Sequence, residues 1–399
     1  AIQLLHVLAR LPAEQRRHCC PERTTERLME LVSRVSQGWW RFRAQDMADL
    51  LEAMQALDAT DLPLLDAIGR QLARVLKSEG CSDALFLRLL GSLAELRQAG
   101  LDKIRDHIHQ RRDVRGLLEE RIPKAMDSRD ASDLRTRALL LYACARLSYD
   151  GQAVHDILTD VCNAVEEDIT LVAEDWFAPL LWAMAELDLE PEMARKWLRH
   201  LAETRYEEAA LEERGGDGDQ GEADSLGALL RMAWSCVALE VDMPEALLRE
   251  LSRRIEGGKA LTGDHVSLAQ MVALDCFLRR PGEARVRGDS VEDWLSELRA
   301  TAPTRPVSQV YAGWLSEALI KLKIRHEAPC SVSVHMVSAG LPQERLAIAV
   351  VGPRDLASPS KRPLATTRIC RRQLEALGWQ WEELTVADVQ KAQRDQQLG

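Results

Sequence analysis

One eight-residue pattern recurs along most of the chain: a Leu pair, then small residues, then a closing Leu. It reads Leu50-Leu51-Glu52-Ala53-Met54-Gln55-Ala56-Leu57, then Leu89-Leu90-Gly91-Ser92-Leu93-Ala94-Glu95-Leu96. It returns as Leu140-Leu141-Tyr142-Ala143-Cys144-Ala145-Arg146-Leu147 and as Leu180-Leu181-Trp182-Ala183-Met184-Ala185-Glu186-Leu187. The opening Leu4-Leu5-His6-Val7-Leu8-Ala9-Arg10-Leu11 fits, and looser copies end at Val237 and Phe277. The closing positions are separated by 46, 39, 51, 40, 50 and 40 residues. A period near 40 marks a helix–turn–helix unit.

Ala53, Ala143 and Ala183 let one helix approach its neighbour closely. The second helices, such as Leu64-Leu65-Asp66-Ala67-Ile68 and Leu247-Leu248-Arg249-Glu250-Leu251, carry apolar residues at helical spacing. One hairpin alone cannot bury its apolar stripe, so the expected architecture is an α-solenoid of helical hairpin repeats over residues 1–300. The longer spacings imply longer loops, the clearest being the Gly/Asp segment from Arg214 to Glu222. The chain opens at Ala1 inside an apolar helical pattern, so residues upstream, a removed targeting peptide or a tail, are expected.

Charge is distributed unevenly. Residues 1–150 carry 24 Lys+Arg against 22 Asp+Glu, residues 151–305 carry 16 against 32, and residues 306–399 carry 12 against 9. The acidic middle would repel a phosphate backbone, and suits protein partners of a large assembly, whereas either end tolerates a polyanion. Nine scattered Cys, an odd number, argue against a secreted disulfide scaffold. No stretch approaches 18 apolar residues without charge, so no membrane insertion is expected.

The last ninety residues change character. After a linker at 301–309 and one amphipathic helix around Val310–Lys323, the period switches to two. Cys330–Val337 alternates as a half-buried strand does, and Leu346–Val351 is a continuous apolar run ended by Gly352-Pro353, as in a strand buried on both faces. A basic loop at Ser360-Lys361-Arg362-Pro363 precedes a helix with Arg371, Arg372 and Leu374 that stops at Gly378. A short strand at Trp379–Leu384 and a helix at Ala387–Gln397 complete a small α/β domain over 310–399.

The run Leu346–Val351, Gly352-Pro353, then Arg362-Pro363-Leu364, then Arg371 through Leu377-Gly378-Trp379 resembles a RAP domain. The resemblance covers about residues 310–399 and implies a restriction-endonuclease-like fold. RAP domains follow helical repeats in FAST-kinase-like and octatricopeptide proteins. The resemblance therefore implies an organellar RNA-binding protein of the mitochondrial matrix, or of a plastid. Its implied place is the mitochondrial ribosome or an RNA-maturation complex. A scaffold subunit that has lost RNA binding is the alternative. A metal-dependent ribonuclease would need carboxylates near the scissile phosphate. Members of the family often place an Asp on the first strand and acids before Gly-Pro. This chain has His335 or a neighbour at the first position, Ala349 and Val351 at the others, and Cys370 where a basic residue often opens the helix. No catalytic residue, metal site or cofactor is expected.

The candidate RNA-binding residues are Lys361, Arg362, Arg368, Arg371 and Arg372, five cations in a twelve-residue window, with Trp381 placed to stack on a base and Trp379 more suited to the core. A second candidate patch holds Lys103, Arg105, Arg111, Arg112 and Arg115 beside His107 and His109, with Asp102, Asp106 and Asp113 interleaved. His18-Cys19-Cys20 lacks a partner pair at metal spacing, and His107-x-His109 turns its rings apart on a helix. Asp217-x-Asp219 lacks the Gly and Glu of a calcium loop. Cys144, Cys236 and Cys276 read as small core residues.

Overall fold

The computed structural model describes residues 2–11, 42–57, 60–127, 133–173, 175–201, 226–244, 264–279 and 307–397, with isolated positions 27, 30, 32, 247, 248, 250 and 251. His18-Cys19-Cys20, the Gly/Asp segment, and 301–306 of the expected linker lie outside the described residues. The chain is mostly helical with a small C-terminal sheet region. Internal contacts divide it into two compact units, Ala1–Ala183 with Ala357–Arg362, and Met184–Leu356 with Pro363–Gly399. That division falls inside the helix Phe177–Leu187.

The first unit contains α1 (Ile2–Arg10), α2 (Ala44–Ala56), α3 (Leu62–Lys77), α4 (Asp83–Ala94), α5 (Gln98–Gln110), α6 (Arg112–Met126), α7 (Leu134–Arg146) and α8 (Gln152–Glu167). The repeated motif explains their packing. Its Leu pairs, Leu50-Leu51, Leu89-Leu90 and Leu140-Leu141, and its small residues Ala53 and Ala143 are buried. Each Leu so buried contributes about 1.5–3 kcal/mol. The motif helices α1, α2, α4 and α7 touch one another in chain order, while α3 packs on α5. Asp61, Ser82 and Asp133 cap α3, α4 and α7 by accepting the backbone N–H of Leu64, Leu85 and Thr136.

α9 (Phe177–Leu187) carries the next motif copy and contains the division between the units. The second unit continues with α10 (Pro191–Leu201), α11 (Leu226–Leu239) and α12 (Asp264–Arg279), α11 packing on both neighbours. The looser motif copies end later than their sequence suggests. α11 runs past Val237 to Leu239, and α12 runs past Phe277 to Arg279.

The C-terminal region begins with α13 (Gln309–Lys321), whose first turn is capped by Ser308. The expected single strand over Cys330–Val337 is instead a hairpin of β1 (Cys330–Val332) and β2 (His335–Val337). Ser333, at φ +56, supplies the left-handed turn conformation between them. A three-stranded sheet follows in the order β3 (Ala339–Leu341), β4 (Leu346–Val351), β5 (Gln380–Thr385). β3 runs antiparallel to β4, and β4 parallel to β5. A parallel pair needs a crossover, which α14 (Ala365–Ala376) provides. α15 (Val386–Gln397) ends the chain.

β4 is covered on both faces. Ile348 and Val350 join Leu315 and Leu319 of α13 and Val389 of α15, while Ala347 meets Leu374 of α14 and Val332 and Val337 of the hairpin. Gly340 sits where a Cβ would lie 2.5 Å from the Cys330 sulfur, so only glycine lets β3 pass β1. Among the described residues no helix is long and apolar enough to cross a membrane.

Among the described residues five helices end in the same turn. The N–H groups of Tyr149, Leu189, Val241, Ile324 and Trp379 donate to the carbonyls of Cys144, Met184, Cys236, Leu319 and Leu374. The residue before each donor is left-handed: Ser148, Asp188, Glu240, Lys323 and Gly378. This is a Schellman cap, and it explains why an aliphatic or aromatic residue stands two places after the closing Leu. Glycine adopts that conformation without strain, whereas a side chain costs about 1–2 kcal/mol. Gly378→Ala is therefore expected to destabilise the protein by about 1–2 kcal/mol, and Lys323→Gly to stabilise it by about 1 kcal/mol. Urea denaturation midpoints measure both, with opposite signs.

Candidate nucleic-acid interface

In the first unit, the segment 357–362 lies along the turn that joins α7 to α8. The Ser358 N–H donates to the Ser148 carbonyl at 2.7 Å, and the Asp150 N–H donates to the Ser358 carbonyl at 2.8 Å. The Asp150 carboxylate is fully buried. It accepts from the Ser360 N–H at 3.2 Å, from the Ser360 hydroxyl, and from Arg362 Nη2 at 3.4 Å. A buried carboxylate survives only with such partners. Arg362 is thus committed to an acid of its own chain. Lys361, at φ +62, is exposed.

In the second unit, α14 is set by its basic face. Arg368 Nη2 donates to the Ala185 carbonyl in the last turn of α9 at 2.9 Å, and its other terminal nitrogen pairs with Asp188. One helical turn on, Arg372 Nη2 donates to the Val237 carbonyl in the last turn of α11 at 2.6 Å. It also meets Asp275 at 3.2 Å, and Nη1 meets Glu240 at 3.0 Å. The spacing of four residues puts both arginines on one helix face. The last carbonyls of a helix lack intrahelical donors and carry partial negative charge, so a guanidinium satisfies both deficits. Arg371 points to solvent, paired only with Glu375 at 2.9 Å, which raises its pKa further. Two exposed partners give such a pair little stability.

Gln373, next on the helix, is buried. Its amide donates to the Met271 carbonyl at 2.8 Å and its oxygen lies 2.7 Å from His335 Nε2, so that nitrogen carries the proton. Burial lowers the His335 pKa to about 4. His335 is thus a neutral core imidazole. Trp381 donates its indole N–H to Glu383 at 2.8 Å, and its ring packs half-buried with Trp379 against the cluster around Leu374. Both rings are half-buried.

In the second candidate patch, on α5 and α6 of the first unit, most cations likewise have partners in their own chain. Arg105 is buried, donating to the Arg146 carbonyl at 2.7 Å and meeting Asp102 at 3.5 Å. Lys103 and His107 both approach Asp66, at 3.4 and 3.0 Å. Burial opposes ionisation of Asp66, but His107, Arg70 and Lys103 hold its pKa below the ordinary carboxylate value. Arg111 donates to the Arg70 carbonyl at 2.6 Å and pairs with Asp113 at 2.6 Å. Arg115 reaches the Ser358 hydroxyl at 3.5 Å. Arg112 is exposed. Burial, with Arg105 and Arg115 adding repulsion, lowers the His109 pKa to about 4.

Among the described residues no group of three or more His, Cys, Asp or Glu is placed to hold a metal ion. Burial pushes the thiols of Cys144 and Cys236 up to about 12, so both are protonated core residues; Cys276 is half-buried. No protein-family model matches the chain, and no curated protein matches it.

Arg372→Ala removes a charge-assisted bond to a helix end and leaves Asp275 short of a partner, so a loss of about 2–3 kcal/mol is expected. Arg371→Ala should fall within about 0.5 kcal/mol of the parent; chemical denaturation separates the two. His335 and His109 exclude a proton in the folded chain that the unfolded chain accepts below its ordinary pKa of 6.5. Their contribution to stability is therefore complete above pH 6.5 and is lost as pH falls toward 4. His335→Gln should flatten that fall in a pH series of thermal midpoints.

Proposed function

We propose that the chain is a non-catalytic subunit of an organellar RNA–protein assembly, a mitochondrial ribosome or RNA-maturation complex, held in place mostly by protein contacts. The observation that carries this reading is where its cations go. Arg362, Arg368 and Arg372 bind carboxylates and carbonyls of their own chain, and so do Arg105 and Arg111. Phosphate contact is left to outward cations: Lys361 and Arg371 at the C-terminal segment, and Arg112 on α6.

The organelle, the RNA and the matrix location rest on the resemblance of residues 346–379 to a RAP domain. So does the restriction-endonuclease-like fold, with which a crossover helix between parallel β4 and β5 is compatible. The solenoid reading is supported by motif helices that touch in chain order. Non-catalytic is the reading because Ala349 and Val351 stand where the family's acids would be. A scaffold without any RNA contact is the second reading, favoured by the 32 acidic against 16 basic residues of 151–305.

The test is RNA retained by the tagged chain after organelle lysis, measured across a salt series. Lys361→Glu with Arg371→Glu should weaken retention without changing the thermal midpoint. The salt slope should fall by roughly 0.7–0.9 for every phosphate that is no longer neutralised. RNA retention that ignores these changes and Arg112→Glu would remove the RNA part of the proposal and leave the scaffold.

A further inference from the structure

Among the described residues, α13 and its C-terminal cap carry an outward stripe of exposed aliphatics. Val310, Ile320, Leu322 and Ile324 are 55%, 64%, 67% and 36% exposed, half of the large hydrophobics that are exposed among the described residues. The same helix sends Leu315 and Leu319 into the core, so the outward residues are surplus to its own packing. Helical spacing lines up Val310, Gly313, Glu317 and Lys321 along the outer face, with Ile320 beside them. Ile320, Leu322 and Ile324 alternate with Lys321, Lys323 and Arg325, all three exposed.

We propose that this edge docks an amphipathic helix of a partner protein, apolar against Val310, Ile320 and Leu322 and acidic against Lys321, Lys323 and Arg325. Charge complementarity selects acid on the partner. The side-chain types select protein. Ile and Leu offer no ring for a base, and the aromatics of this helix, Tyr311 and Trp314, pack inward on the core. The proposal stands whether or not the assembly contains RNA, because it uses none of the cations assigned to phosphate.

The experiment places a photo-crosslinking benzoyl-phenylalanine at Leu322 of the full chain in its native assembly, with Leu139, exposed elsewhere, as control. The expected product joins Leu322, and not the control, to an acidic helical segment of another protein. The double change Lys323→Glu, Arg325→Glu should reduce that product by about tenfold, with an unchanged thermal midpoint. Ile320→Asp, an exposed change that folding tolerates, should reduce it as much. Cross-links to RNA, to lipid, to a second copy or to the chain's own residues would overturn the proposal. So would no cross-link, or a protein cross-link that ignores the charge reversal.

Discussion

A helix ends with carbonyls that its own backbone cannot satisfy, and a chain built mostly from short helices has many such ends to manage. Here the Schellman turn satisfies two carbonyls at each of five helices. Arginines from other helices take further ones. Arg105 donates to the end of α7, Arg146 to the end of α4, Arg121 to the last turn of α3, and Arg195 to the end of α11. Arg368 and Arg372 do the same for α9 and α11. A planar guanidinium holds a carbonyl and a carboxylate at once, which an ammonium does poorly. Within each unit this interaction fixes neighbouring helices in register, and the position of α14 depends on it.

The same use of arginine explains why local charge density misrepresents this surface. The twelve-residue window from Lys361 to Arg372 is basic on paper, yet three of its five cations face inward to acids and helix ends. The cluster on α5 and α6 behaves alike around Asp66, Asp113 and the Arg146 carbonyl. Other cations remain outward, and those at and just after the end of α13, Lys321, Lys323 and Arg325, alternate with exposed aliphatics rather than with aromatics. That composition suits a protein surface better than a polynucleotide.

Much of the fold is legible in the residues. Leu pairs spaced by about 40 residues mark helices that turn out buried and mutually packed, because a period of 3.6 with Ala at the contact admits little else. The unbroken apolar run Leu346–Val351 reads as a doubly covered strand and is one, and Gly378 reads as a helix stop and has φ +80. The hairpin of β1 and β2 is not legible. Alternation from Cys330 to Val337 looks the same in one strand as in two short ones, and Ser333 is not a residue that favours the left-handed conformation its turn requires. The true end of α11 is missed because Val237 resembles a closing Leu, whereas the cap is set by Glu240 and Val241.

What the amino-acid order determined by itself is local: helix faces, caps, the switch to a period of two, and the left-handed stops, all governed by neighbours within a few residues. What the tertiary structure decided is the fate of each polar side chain. Arg368 and Arg371 are indistinguishable as letters, yet one is held by Ala185 and Asp188 and the other by solvent and Glu375. Their partners lie more than a hundred residues away or a single turn away, and only the packing of helix ends brings the distant ones near. Desolvation then makes the distant bonds the stronger ones, because a carbonyl or carboxylate withdrawn from water must be satisfied by the chain.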